Sequence, residues 1–575
     1  MSTDRLATAE VLEQIGGFLE FRGENPFRVR AFRTAAKAVM GLPGSVAEAL
    51  ADGSLAATRG VGPATLAIIT EVLASGRSAY LEELKRQVPA GLLDMMGVPG
   101  LGPTRVRQVY EGLGIDSLDA LEAAARDGAL ARLPGFGDKT AAKVLKGIAF
   151  ARGTQAFRLA PQAAAEAEVL RSALERIPGV ARAVTAGQVR RRCEVVSELA
   201  FAARVAAPGE GIARALADLP GITDVANPAP GLLSFRPAGG SSASVRLAAA
   251  ADFGVALVRA TGSESHLARL AAHAERAGYL LGPTGLSRAG AAIPVPDEAA
   301  LYRALGLSEI PPELREGGTE VDRAAQGTLP RLIEPTDLAG VLHCHTTYSD
   351  GTLSVADLAG AARAAGYAYL GITDHSRSAA YAGGLTPDRV RQQWAEIDAL
   401  AAGAGIRVLK GIECDILVDG QLDYDDATLA GFDFVIGSIH SRFSLSETEM
   451  TARVLRALDH PSLTILGHPT GRQLLSRNAY PLDLDAVFAR AAANGVALEI
   501  NGDPHRLDLD WRLVRRARDH GALLSVGADA HSREALAYVD NGIAMARKAG
   551  LEKADVVNTR PVGEFLAFAQ ARRSR

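Results

Sequence analysis

A chain of 575 residues, 48% hydrophobic and 22% charged, is globular and too long for one hydrophobic core, which points to about three to five domains. No apolar run reaches transmembrane length, the opening MSTDRLATAE is polar rather than a secretory signal, and three cysteines (Cys193, Cys344, Cys414) make no disulfide framework. The expectation is a protein of a reducing cytoplasm with no membrane partner. A net charge of −4 carries no global basic signal for nucleic acid, although the first 160 residues hold a slight basic excess and the remainder a slight acidic one.

Residues 6–150 have helical periodicity, many Ala and Leu, and almost no strand-like alternation. One local pattern recurs there three times, as RGVGPATLAII (59–69), VPGLGPTRVRQVY (98–110) and LPGFGDKTAAKVL (133–145). Each copy sets two glycines one residue apart before a helix-forming run: Gly60 and Gly62, Gly100 and Gly102, Gly135 and Gly137. Such a pair permits a tight turn with φ > 0, and the N–H groups of the turn and of the helix start point outward. That geometry holds a phosphate without side-chain charge. It is the helix-hairpin-helix pattern of sequence-independent DNA binders, and Lys139 in the third copy is a further candidate contact. DNA is the expected partner, held with salt-dependent affinity.

From Gly340 to His531 seven short apolar runs alternate with Ala-rich helical stretches: VLHCH, YLGITDH, VLKGIE, FVIGSIH, TILGH, VALEIN and LLSVGADAH. Repeated βα units argue for a closed parallel barrel, whose active residues sit at the C-terminal strand ends. The runs end at His345, His375, Glu413, His440, His468, Asn501 and His531. No fold needs histidine at one strand end after another; a metal cluster does. His343 and His345 are expected to face one cavity because side chains alternate with period two. Mixed imidazole and carboxylate ligands suit Mn²⁺, Zn²⁺ or Fe²⁺ better than Mg²⁺. Arg377, Arg442 and Arg472 follow barrel strands and are candidates for a substrate phosphate. Asp374 is a candidate partner of a ligand histidine or a helix cap. His460, His505 and His520 fall outside the pattern and read as surface or loop residues.

Several stretches carry a resemblance. GENPFRVRAFRTAA (23–36) resembles the entry helices of the lyase-like domain of bacterial and archaeal family X DNA polymerases, and the three Gly-x-Gly repeats fall where that family has them. TAGQVRRR (185–192) resembles the palm signature Gly-Ser-x-Arg-Arg, with Gly187, Gln188, Arg190 and Arg191 at its positions. ATGSESH (260–266) resembles the nucleotide-site segment, DEAALYRALGLSEIPPELREG (297–317) the closing segment, and the C-terminal part a PHP (polymerase and histidinol phosphatase) domain. The resemblance implies an all-α lyase-like domain with the first repeat (1–85) and a fingers-like domain with the other two (86–155). After these come an α+β nucleotidyltransferase-like palm (156–260), a thumb (261–318), a linker (319–336) and a distorted (β/α)7 barrel (337–575). It also implies up to three divalent metals. His343, His345, Glu413 and Asp529 would hold one. Glu413, His440 and His468 would hold a second, and Asp350, His375 and His531 the third.

The departures are as informative. Glu198 and Ala200 stand where the family has the Asp-x-Asp that binds two catalytic metals. The strand expected to supply a third Asp reads SASVRLAAA (241–249), with Arg246 near the expected place and Asp252 in the following loop. Gln188 replaces the signature serine, and Leu267 the usual asparagine after Thr-Gly-Ser. Two cations roughly 3.5–4 Å apart repel unless bridging carboxylates offset their charge, and one Glu beside an Arg cannot do so. A degenerate palm is expected, its Arg190 and Arg191 left to contact phosphate or to sit on a solvated loop. Ile68 stands where eukaryotic relatives carry a Schiff-base lysine, and no lysine lies between Arg59 and Ala74, so lyase chemistry is not expected. The resulting expectation is a monomeric DNA-repair nuclease of the bacterial nucleoid. It would process 3′ ends of gapped, nicked or 3′-recessed DNA, with polymerisation weak or absent. The alternatives are a gap-filling polymerase with a remodelled metal site, and a DNA-binding scaffold whose barrel acts on small phosphate esters.

Overall fold

The computed structural model describes residues 4–42, 45–206, 210–400 and 405–573. Two compact units, Met1–Gly327 and Thr328–Arg575, divide the chain. Among the described residues no helix is long and apolar enough to cross a membrane.

The first unit opens on helices. Asp4–Phe21 and Pro26–Met40 pair, and the second starts where Asn25 accepts from the Phe27 N–H at 2.9 Å, with Pro26 at a first position that needs no N–H. Leu12, Ile15, Leu19, Phe32 and Val39 from this pair join Leu92, Val106, Val109, Leu121 and Ile148 in one core. That core runs without a break across the boundary expected near residue 85. Each glycine repeat takes the same form. Gly60, Gly100 and Gly135 have φ of +100°, +87° and +79°, and Gly62, Gly102 and Gly137 are the extended N-caps of Pro63–Ser75, Pro103–Leu113 and Asp138–Thr154. A side chain at the first glycine of each pair would be strained, whereas the space around the second is open.

A five-stranded mixed sheet follows, in the order Val180–Thr185, Glu198–Val205, Ser242–Ala248, Leu232–Pro237, Ile222–Ala229. Period-two alternation sorts its faces. Leu199, Phe201, Ala203, Val245 and Leu247 pack with Leu170 and Leu174 of the helix Ala160–Glu175. Ala200 and Ala202 meet Phe253 and Leu257 of the helix Phe253–Thr261 on the other side. The segment 319–336, expected as a linker, is divided between the units. Glu320–Gln326 is a helix whose Glu320 Oε1 lies 2.8 Å from His266 Nδ1, while Ile333 is buried in the core of the second unit.

In the second unit the seven apolar runs form a parallel ring. Gly340–Cys344 is flanked by Tyr369–Ile372 and by the last strand, Leu524–Ala530. The third run is kinked: Arg407–Lys410 pairs with Tyr369–Ile372, and Glu413–Asp415 pairs with Ile436–Ser438. One run therefore joins the two ends of the sheet, and the ring closes through Ile465–Leu466 and Ala497–Asn501. Inside it, Tyr369 and Phe434 pack on Phe565 of the helix Val562–Gln570, with ring centroids 5.6 and 5.5 Å apart. Aromatic packing fills that part of the barrel, and the polar side chains gather at the C-terminal strand ends.

Candidate metal centre

The strand ends bring nine side chains into one cavity, with Glu413 at its centre. Its Oε1 lies 2.9 Å from His468 Nε2 and 3.3 Å from both His343 Nε2 and His440 Nε2. Its Oε2 lies 2.9 Å from His375 Nδ1 and 3.8 Å from His345 Nε2. Asp529 Oδ1 stands 3.4 Å from His345 Nε2, and Asp350 Oδ1 stands 3.3 Å from His531 Nε2. The donor atoms fall into four sets, each within 4.8 Å: His345, Asp350, His375 and His531; His343, Glu413 and His468; His343, His345 and Asp529; His375, Glu413 and His440. The partition differs from the expected one. His345 also joins the Asp350 set, and Glu413 shares His468 with His343 and His440 with His375.

The side chains fit a divalent metal. His343 Nε2, both ring nitrogens of His345, His375 Nδ1 and Glu413 Oε2 are buried without a hydrogen-bond partner. His375 Nδ1 and Glu413 Oε2 are close enough to bond and are not aligned to do so. Buried polar atoms so placed are costly unless a cation lies among them. The cavity opens on the side of His531 and Asp350, whose side chains are 38% and 36% exposed, while those of His343, His345, Glu413 and His468 are buried.

Local backbone geometry aims these groups. His343, His468 and Asp529 have φ of +59°, +25° and +50°, in a region sparse for non-glycine residues that costs about 1–3 kcal/mol each. The pairing register shifts between Leu342 and Cys344. The convergence of His343 and His345 therefore comes from a bulge at His343, not from the plain alternation that His-x-His predicts.

Supporting carboxylates orient the rings. His343 Nδ1 meets Glu499 Oε1 at 2.5 Å, and Glu499 Oε2 accepts from the His468 N–H at 2.6 Å. Gly527 makes the room, since a Cβ there would lie 1.9 Å from Glu499 Oε1. His440 Nδ1 meets Asp415 Oδ1 at 2.6 Å. Both arrangements leave Nε2 toward Glu413. Asn501 donates to Asp529 Oδ2 at 3.0 Å, and Arg506 Nε lies 3.5 Å from the same oxygen. Sequence reasoning missed Glu499, Asp415 and Arg506; an acid inside the otherwise apolar run VALEIN was the available signal for the first. Asp374 does neither job expected of it. It accepts from Thr346, Ser349 and Gln393 and so ties down the loop that carries Asp350.

Charge follows from this crowding. Burial works against protonating His343, but Glu499, Asp529 and Glu413 outweigh it and hold the ring well above the ordinary range. Burial is likewise overcome at His440, pushed up to about 10 by Glu413 and Asp415, and at His531, pushed up to about 9 by Asp350 and Asp529. His345 goes down to about 4 through burial and its neighbour His375. Burial raises the acids, yet the imidazoles keep Glu413 and Asp529 well below the usual range and Asp350 at about 2. The carboxylates are ionised, and the cavity is suited to receive positive charge.

The three candidate phosphate arginines part company. Arg377 and Arg442 are exposed beyond His375 and His440, and Arg377 reaches the Asp423 carbonyl at 3.3 Å. Arg472 instead donates to the Arg506 carbonyl at 3.0 Å, to Asp510 at 2.8 Å and to the Leu507 carbonyl. It clamps the 506–510 loop, and Arg506 is the arginine that reaches a cluster carboxylate. His460, His505 and His520 pair with Asp426, Asp503 and Asp485 away from the cluster.

Among known proteins, the DNA polymerase/3'-5' exonuclease PolX of Bacillus subtilis (strain 168) is 36% identical over 568 residues, covering 97% of this chain and 98% of its own length. The chain belongs to the family X DNA polymerases. Family models agree piece by piece: a helix-hairpin-helix domain at residues 4–78, a SAM-like helix-hairpin-helix tandem at 92–149, a DNA polymerase beta thumb at 256–316 and a PHP domain at 342–501. A probable phosphatase of Syntrophotalea carbinolica is 31% identical over 164 residues, 27% of this chain and 65% of that protein. A probable phosphatase of Thermoanaerobacter sp. (strain X514) is 26% identical over 181 residues, 30% of this chain and 71% of its own length.

The palm strands of this family X chain present one carboxylate, Glu198, among positions 198, 200 and 244. Glu198 is exposed and accepts from Ser244 Oγ at 2.5 Å. The parallel register sets Ser244 beside Ala200 and Arg246 beside Ala202. Ser244 is thus the residue facing the two altered positions, and the placement of Arg246 there is corrected by one step of the two-residue pleat. Arg246 lies on the same face, its charge disfavoured by burial and by Arg259. Gln188 Oε1 accepts from the Ser197 and Glu198 N–H groups at 2.8 and 3.3 Å, and Gly187, at φ +57°, packs against Ala200. Arg190 forms a two-pronged pair with Glu298 at 2.8 and 2.5 Å. Arg191 pairs with Glu316 at 2.9 Å and donates to the Thr261 carbonyl at 2.6 Å. Both arginines tie palm to thumb, which is neither of the roles foreseen for them.

Proposed function

We propose that this chain binds gapped, nicked or 3′-recessed DNA through its helix-hairpin-helix turns and hydrolyses phosphoester bonds at the 3′ end in its PHP barrel, with templated synthesis weak or absent. The observation that carries the reading is the contrast in donor atoms. Nine convergent barrel side chains include buried ring nitrogens and one carboxylate oxygen without partners, while palm positions 198, 200 and 244 offer a single carboxylate. Up to three divalent ions, Mn²⁺ or Zn²⁺ before Fe²⁺, would be held by His343, His345, Asp350, His375, Glu413, His440, His468, Asp529 and His531. Such ions supply Lewis acidity, an acidified water and neutralisation of charge on the leaving oxygen.

The chain's own residues do the rest. Glu499 and Asp415 hold His343 and His440 in the tautomer that presents Nε2 to Glu413. Arg506 offsets the charge of Asp529. The open side at His531 and Asp350 admits a phosphodiester, and exposed Arg377 and Arg442 flank the strand ends where its oxygens would lie. Gly60, Gly62, Gly100, Gly102, Gly135 and Gly137, with Lys139, would hold the duplex by its phosphates. The test is digestion of 3′-recessed DNA across Mn²⁺, Zn²⁺ and Fe²⁺, with dNTP incorporation on gapped DNA followed in parallel. Metal-dependent 3′ shortening that His343→Ala abolishes supports the reading. Efficient incorporation that Glu198→Ala abolishes would favour a remodelled polymerase, and hydrolysis confined to small phosphate esters would favour a scaffold.

A further inference from the structure

We propose that Tyr381 is a stacking platform for the terminal nucleobase of a DNA 3′ end entering the barrel, a proposal that rests on the 3′-hydrolysis reading above. Apolar rings are usually covered, yet Tyr381 is 73% exposed, the one aromatic residue among the large exposed hydrophobics described in the barrel unit. Its ring centroid lies 6.1 Å from that of His375 and 6.3 Å from that of His440. A free aromatic face thus stands beside two rings of the cluster, within the length of one nucleotide.

The ring is presented by a clamped turn. Ala380–Ala382 is one helical turn, closed by Ala379 N–H to the Ser376 carbonyl at 3.0 Å and Gly384 N–H to the Ala379 carbonyl at 3.1 Å. Leu385 N–H then donates back to the His375 carbonyl at 2.8 Å, and Arg389 holds the Gly383 carbonyl at 2.8 Å. Ala379 and Ala382 are buried beneath it. A platform fixed to the strand end loses little entropy when a base lands on it.

The chemistry of the surroundings selects a nucleobase. The runs ending at His375 and His440 continue into Arg377 and Arg442, both exposed. Cations that pair with phosphates beside an aromatic face that accepts any base are the elements of a single-strand site, and stacking of this kind is tolerant of sequence. Tyr381 accordingly sets a preference for base-bearing termini without choosing among bases.

The experiment reads stacking apart from hydrolysis. An oligonucleotide with 2-aminopurine at its 3′ terminus is titrated with the full chain in EDTA, and quenching of its fluorescence is compared for wild type, Tyr381→Phe and Tyr381→Ala. Hydrolysis with Mn²⁺ is then measured on an oligonucleotide with an ordinary 3′ nucleotide, on one with a 3′ abasic residue, and on glycerol 2-phosphate. The expected result is quenching in wild type and Tyr381→Phe that Tyr381→Ala loses. KM for the ordinary terminus should rise about tenfold in Tyr381→Ala, with the abasic substrate and glycerol 2-phosphate nearly unchanged. Undiminished quenching in Tyr381→Ala, or an equal loss on the abasic terminus, overturns the platform. Wild type that quenches but does not shorten DNA supports the platform and removes the hydrolysis reading instead.

Discussion

The palm and the barrel both gather carboxylates among basic side chains, arginines in the one and imidazoles in the other, and differ in how far the protein satisfies them. In the palm, Arg190 and Arg191 are matched by Glu298 and Glu316, and Glu198 is bonded by Ser244. In the barrel, Glu413 stands among five imidazoles whose ring atoms are in part without hydrogen bonds. A pocket whose charges close on one another becomes structure. A pocket whose buried donors stay open retains the capacity to bind.

The sharpest way to break that contrast is to empty the barrel. Chelation, or His343→Ala, should reduce 3′ shortening of DNA to background while retention of DNA in a mobility-shift assay stays as in wild type. Next in size is the palm lock. Glu298 is buried between Arg190 and Arg315, so Glu298→Ala leaves two cations uncompensated and should lower the stability of the first unit by about 3–5 kcal/mol in denaturant unfolding, with Mn²⁺-dependent hydrolysis retained at permissive temperature. The supporting carboxylate comes third. Glu499→Gln should weaken metal binding or rate by about 10–100-fold, measured by metal titration, and Gly527→Ala should approach it because the added methyl displaces Glu499.

Smaller effects sharpen the palm side. On the proposed reading Glu198→Ala should leave dNTP incorporation at the wild-type level, whereas Ala200→Asp with Ser244→Asp should raise it, read by primer extension with Mn²⁺. Acid should show the palm lock as well. Burial raises Glu298, but Arg190 and Arg315 outweigh it and hold the carboxyl below its ordinary 4.5. Its stabilisation is then fully present above pH of about 4.5 and lost as pH falls through the lower folded value. The unfolding midpoint should drop over that acid window in wild type and be flatter there in Glu298→Gln.

Residue pattern alone located the barrel site and the helical repeats, while the palm was placed by its resemblance to the family signature. Histidines ending successive apolar runs pointed to a metal cluster at barrel strand ends, and the Gly-x-Gly spacing marked three helix starts. Glu499 was hidden because it lies in mid-strand, where a single acid has no periodic partner, and Arg506 because it follows a strand end that carries no ligand histidine. Arg472 has the same sequence context as Arg377 and Arg442, and only its contacts with Arg506, Leu507 and Asp510 separate it from them.

Composition and periodicity by themselves determined the parallel barrel, the helical head and the chemical identity of the cavity, because side-chain type and spacing are local properties. Tertiary structure decided the rest: the bulge that turns His343 inward, the grouping of His345 with Asp350, and the capture of the palm arginines by thumb carboxylates more than a hundred residues away. Those outcomes depend on which strands become neighbours and at what register, and no segment of chain carries that information until the others are folded around it.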